Sequence, residues 1–100
     1  MLKYKNYTIT FPNNKIYVGY TSTSLNERFQ SHKKNSYNGH APLYRAIQHF
    51  GWDNIKVECV ASFSEKASAL ENEKRLIVEM KSHISENGYN NTWGGEDFPR

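Results

Sequence analysis

The sequence predicts an α+β domain, a small three-stranded and mainly antiparallel sheet flanked by helices, in the order β-β-α-α-β-α. Three observations carry this. Two short alternating runs flank a Pro-Asn-Asn turn near the start. Two amphipathic stripes follow, each with its own start signal. A third alternating run then leads into a longer helical pattern. One hundred residues fit a single domain, 1–100. A chain of that size buries a modest core, roughly 60–70% of the surface it exposes when unfolded.

The first strand runs from Tyr4 to Phe11, where Tyr, Thr and Ile alternate with polar residues. Pro12-Asn13-Asn14 is a turn, since proline presets φ and asparagine tolerates unusual backbone angles. Lys15 to Thr21 is the second strand, and the pair forms an antiparallel hairpin. Period two puts Lys5, Tyr7, Ile9 and Phe11 on one face of the first strand, and Lys15, Tyr17, Gly19 and Thr21 on one face of the second. Ser24 and Glu27 form a capping box that opens a helix reaching about Lys34, with Leu25, Arg28, Phe29 and His32 on one stripe. Asn35 to Ala41 reads as a loop. Pro42 suits a first helical position, Leu43, Ala46, Ile47 and Phe50 make the second stripe, and Gly51 stops it. Ile55, Val57, Cys59, Ala61 and Phe63 alternate with polar neighbours as a third strand. A third helix spans about Ser64 to Lys81, and the segment from Asn87 to Arg100 reads as ordered loop.

Composition excludes several classes. Thirteen Lys and Arg against ten Asp and Glu give a net charge of +3, compatible with nucleic acid without requiring it. The lone Cys59 excludes an internal disulfide and a cysteine-based zinc site, and suggests a reducing, cytoplasmic setting. No apolar run approaches the roughly 20 residues of a membrane span, and the N-terminus lacks the apolar stretch of a signal peptide. His32, His40, His49 and His83 lack metal-binding spacing, and there is no P-loop and no nucleophile elbow.

Glu73 is the sharpest chemical signal. On the third helix Ala67, Ala69, Leu70, Leu76, Ile77 and Met80 fill one arc, and Glu73 falls within it where another leucine would be expected. A carboxylate there needs a cationic partner or a metal, so it is either one half of a structural ion pair or a ligand for a hard divalent cation. Arg28, on the edge of its stripe, either snorkels to solvent or grips a phosphate in bidentate fashion. His32 is either a packed histidine or a proton shuttle. Tyr7 and Tyr17 are ordinary strand residues unless a cation helps their phenols, and Lys15 on the same face as Tyr17 is available for that. His40 and Asn90 sit in turn-like contexts and would not stand out alone.

Their joint order does stand out. Tyr7, Tyr17-Val18-Gly19, Arg28, His32, His40, Glu73 and Asn90, with Asn87-Gly88-Tyr89-Asn90-Asn91-Thr92 and Gly94-Gly95-Glu96, resemble the GIY-YIG nuclease family over about residues 4–96. The closing segment is most similar to the catalytic domains of phage and intron-encoded homing endonucleases. The resemblance implies a divalent-metal-dependent endonuclease acting on duplex DNA. Glu73 would hold a single Mg²⁺ or Mn²⁺, Arg28 would bind the scissile phosphate, and Tyr7 would act as general base or orient the water. Tyr17 would help position it, His32 and His40 would relay protons or touch phosphate, and Asn90 would brace the site. It also implies a separate DNA-binding region beyond the catalytic domain and, for a phage or intron gene, the cytoplasm of the host cell. The first motif departs from the family's Gly-Ile-Tyr, reading Lys5-Asn6-Tyr7. Two rival functions are a non-catalytic DNA-binding module using Arg28, Lys33, Lys34 and Arg45, and a structure-specific repair or recombination nuclease.

Overall fold

The computed structural model describes residues 2–36, 39, 42–86 and 88–90. The expected order is found, with β1 (Tyr4–Thr10), β2 (Ile16–Thr21), α1 (Leu25–Ser36), α2 (Pro42–Phe50), β3 (Lys56–Phe63) and α3 (Lys66–Glu79). Two short 3₁₀ turns, Trp52–Asn54 and Ile84–Glu86, add to it. The sheet order is β2-β1-β3 and both pairings are antiparallel.

β1 is therefore the central strand, and residues 6–9 are buried on both faces. The face carrying Tyr7 and Ile9, continued by Phe11, packs with Leu43, Ala46 and Ile47 of α2 into the main core. Phe29 of α1, Trp52 and Tyr89 close around it. Each large apolar side chain fully buried here contributes roughly 1.5–3 kcal/mol. The opposite face, with Asn6 and Thr8, lies against α3, whose buried residues are Ala69, Glu73 and Ile77. Helices thus cover both faces of the sheet.

The hairpin turn works as its residues suggest. Asn14 takes φ 68°, its N–H reaches the Phe11 carbonyl at 2.8 Å, and the Lys15 N–H bonds Asn13 Oδ1 at 3.0 Å. β1 ends at Thr10 and β2 starts at Ile16, each one residue inside the expected limits. Ser24 Oγ caps α1 by accepting the Glu27 N–H at 3.2 Å. That helix runs two residues past Lys34. Gly51 at φ 87° stops α2, with its N–H on the Ile47 carbonyl at 2.9 Å. Only glycine enters that region without strain.

Three expectations need correction. β3 is an edge strand, and its predicted alternation holds from Ile55 to Glu58 and then breaks: Cys59 is exposed and Ala61, Ser62 and Phe63 are all half-buried. A bulge contributes, because the β1 register jumps from Asn6↔Ala61 to Tyr7↔Cys59 and leaves Val60 unpaired and 43% exposed. α3 begins at Lys66 instead of Ser64 and ends at Glu79 instead of Lys81. Ala67 and Met80, at the two ends of the predicted arc, face solvent.

Candidate active site

The site forms where α1 packs on the β1–β2 hairpin, with α3 on the other face of the sheet. Tyr7 is wholly buried and its phenol is the hub. Arg28 Nε donates to Tyr7 Oη at 3.2 Å, and Tyr7 Oη lies 2.5 Å from His32 Nε2. Arg28 and His32 are one helical turn apart on α1, so a single face of that helix delivers both. With the imidazole proton on Nδ1, the chain of bonds runs from Arg28 N–H to Tyr7 oxygen, and from Tyr7 O–H to His32 Nε2. Tyr17 lies beside both, its ring 6.4 Å from that of Tyr7 and 5.7 Å from that of His32.

Gly19 explains how the phenol gets there. It is paired with Tyr7 across the hairpin, and a Cβ at that position would land on the Tyr7 ring. The glycine makes room for the ring to lie over the β2 backbone.

Electrostatics fix the protonation states. Burial pushes the Tyr7 phenol well above its ordinary range, and neighbouring Tyr17 pushes it further, while Arg28 acts in the opposite sense. Tyr7 therefore enters as a neutral hydroxyl. His32 is lowered to about 4, by burial first and by the Arg28 charge second. Burial, the largest single influence, works against the Arg28 charge, but the Tyr7, Tyr17 and Tyr44 phenols together outweigh it and the guanidinium stays protonated.

Glu73 is 5% exposed on α3, on the helix that covers the other face of the sheet. It is near enough for its charge to oppose ionisation of Tyr7. Among the described residues no three His, Cys, Asp or Glu side chains cluster as a metal cage. One buried carboxylate whose charge reaches the Tyr7 phenol fits a hard cation that keeps most of its waters, and does not fit zinc.

Asn90 takes a position on the outer edge of β2. Its Oδ1 accepts the Val18 N–H and its Nδ2 donates to the Val18 carbonyl, both at 2.8 Å. The side-chain amide replaces one residue of a neighbouring strand. Its own backbone is tied to Ser82 and Ile84 at 2.7 and 2.9 Å.

Of the residues expected from the sequence, Tyr7, Tyr17, Arg28 and His32 meet in one cluster, with Glu73 and Asn90 adjoining it. Lys15 goes elsewhere. Its ammonium stands 5.7 Å over the Tyr89 ring, and the cation bonded to a site phenol is Arg28. His40 and the Gly94-Gly95-Glu96 segment lie outside the described residues. Tyr44 was not singled out, yet its ring is 6.0 Å from His32 and its phenol acts on Arg28. Its only sequence signal is its place beside Leu43 and Ile47 on the α2 stripe.

The sequence pattern of the GIY-YIG catalytic domain matches residues 3–90. The chain belongs to the GIY-YIG family. Among solved structures, this GIY-YIG domain is similar to the catalytic domain of the homing endonuclease I-TevI, with 29% identity and a TM-score of 0.75 over 90% of this chain and 99% of that one. A mutant of the catalytic domain of the intron endonuclease I-TevI gives 27% identity and a TM-score of 0.76, over 91% and 95% of the two chains. Comparison with curated proteins yields no match. The GIY-YIG chain is an endonuclease, and its fold is that of the I-TevI catalytic domain.

Proposed function

We propose that this endonuclease hydrolyses phosphodiester bonds of duplex DNA with the help of one divalent cation, Mg²⁺ or Mn²⁺, as the catalytic domain of a homing-type enzyme. The observation that carries the reading is the bonded set Arg28–Tyr7–His32 next to a buried Glu73. Glu73 would hold the cation, which supplies charge neutralisation at the phosphate when bound. Arg28 keeps a fixed positive charge for the phosphate oxygens.

Tyr7 is protonated at working pH, so it cannot wait as a phenolate. It takes a proton from the attacking water only as it hands its own to His32 Nε2. The water oxygen bonds to phosphorus, the bond to the 3′ oxygen breaks, that oxygen takes a proton from solvent while His32 returns its extra proton to solvent, and the products are a 5′-phosphate and a 3′-hydroxyl. Tyr17 orients the water or the phosphate, and Asn90 holds the β2 backbone next to Tyr17. His40 adds a phosphate contact or a second relay. The whole chain, 1–100, would act as one catalytic domain and depend on a separate DNA-binding region for targeting.

Nicking and linearisation of supercoiled plasmid tests this. Cleavage should require Mg²⁺, stop with EDTA, and be abolished in Glu73→Ala with the fold retained by circular dichroism. Cleavage by Glu73→Ala at the wild-type rate overturns the assignment of the cation to Glu73. A wild-type chain that stays inactive even when fused to a heterologous DNA-binding domain overturns the enzyme mechanism. A bare DNA-binding module would show salt-sensitive binding with no metal-dependent product.

A further inference from the structure

Asn6 occupies the middle of the Lys5-Asn6-Tyr7 motif and is wholly buried between β1 and α3. An apolar side chain would suit that place, and burying an amide is costly unless its hydrogen bonds are made. They are made in a defined chain. Asn6 Nδ2 donates to the Ala69 carbonyl at 3.0 Å, and Asn6 Oδ1 accepts from Asn72 Nδ2 at 2.8 Å. Arg75 holds Asn72 Oδ1 from two nitrogens, at 2.7 and 3.2 Å, and this fixes which way the Asn72 amide points. Arg75 is in turn held by Glu79 at 2.5 Å.

The positions of these anchors matter more than their number. Asn6 immediately precedes Tyr7, and Asn72 immediately precedes Glu73. In the helical ladder the Ala69 carbonyl also takes the N–H of Glu73, four residues on. The amide of Asn6 thus grips two points on α3 just before Glu73, the carbonyl that takes the Glu73 N–H and the residue next to it, from the backbone position next to Tyr7. An apolar contact between strand and helix would let α3 slide or rotate slightly. Two directional bonds across the same gap do not.

We propose that Asn6 and Asn72 are a positioning pair that sets the Glu73 carboxylate relative to the Tyr7 phenol. This rests on the reading of Glu73 as the cation's ligand and of Tyr7 as the group that handles the water. Neither asparagine touches the reacting atoms. Their contribution is registry between two elements that each carry one part of the site. Displacement of a reacting group by about 1 Å can cost about 100-fold in rate.

The test uses Mn²⁺ as a paramagnetic probe on isotope-labelled full chain. In the wild type, bound Mn²⁺ should broaden both the Glu73 amide and the Tyr7 ring signals. In Asn6→Ile the Glu73 amide should still broaden, the broadening of the Tyr7 ring should change, and kcat for plasmid nicking at saturating Mg²⁺ should fall by about 100-fold with KM unmoved. If Asn6→Ile does not fold, Asn72→Ala at the half-buried end breaks the amide pair, leaves the bond from Asn6 to Ala69, and carries the same expectation. Unchanged Tyr7 broadening with wild-type kcat overturns the positioning role. Absence of Mn²⁺ broadening at Glu73 in the wild type is a different failure: it removes the cation assignment itself, before any variant is made.

Discussion

The Tyr7 hydroxyl is held between a donor that never loses its proton and an acceptor that stays neutral above about pH 4. In the proposed mechanism the two partners do different things. Tyr7→Phe should lower cleavage by about 10²- to 10⁴-fold, the usual range for a positioned acid–base group. It should also cost about 1–3 kcal/mol of stability, because His32 Nε2 loses its buried partner. Arg28→Lys keeps the charge but removes the Nε–H that points at Tyr7, and should lose about 10²- to 10³-fold in kcat. Single-turnover cleavage and urea unfolding of the two variants check both statements. At this scale the meeting of Tyr7, Tyr17, Arg28 and His32 was legible, because each chemical type falls at its own place along the chain. Asn6 was not legible. A polar residue in an alternating strand reads as the solvent side, and only the packing of α3 over that face makes it buried. Lys15 failed for the related reason that sharing a strand face with Tyr17 does not fix where a long side chain ends.

Elements whose ends are set by local chemistry were read well. The Pro12-Asn13-Asn14 turn, the Ser24 cap and the Gly51 stop each act within a few residues. β3 and α3 were read less well, since an edge position and a bulge override the strand pattern, and α3 starts without a side-chain cap. The end of α3 has a feature with a direct consequence. Lys81 takes φ 53°, its N–H reaches the Val78 carbonyl at 3.3 Å, and the Ser82 N–H reaches the Ile77 carbonyl at 3.1 Å. These are the two bonds of a Schellman motif, with lysine at the position where glycine is normal. Lys81→Gly should relieve the left-handed backbone and stabilise the domain by about 0.5–1 kcal/mol. Scanning calorimetry should show Tm raised by a few degrees, with cleavage unaltered.

For the whole molecule, His32 links folding to pH. The unfolded imidazole takes a proton near its ordinary 6.5, and the folded one only near 4. Between these values the unfolded chain holds more protons, so stability is complete above about pH 6.5 and is lost as pH falls towards 4. The full effect is about 3 kcal/mol. Urea midpoints at pH 7, 5 and 4 should fall steeply in the wild type and much less in His32→Gln. A wild-type midpoint as flat as that of the variant would show that burial of this imidazole does not couple to folding.

The clasp of Asn90 on Val18 also has a consequence in time. It spans 72 residues of sequence. A ribosome releases the hairpin with both site tyrosines first, and the residue that completes the outer edge of β2 last among these parts. Until Asn90 emerges, β2 has one unpaired edge and the backbone beside Tyr17 is not held. If Asn90 braces the site as proposed, the nascent chain would hold its β2 backbone, and with it the place of Tyr17, only once this late residue has folded back onto the hairpin.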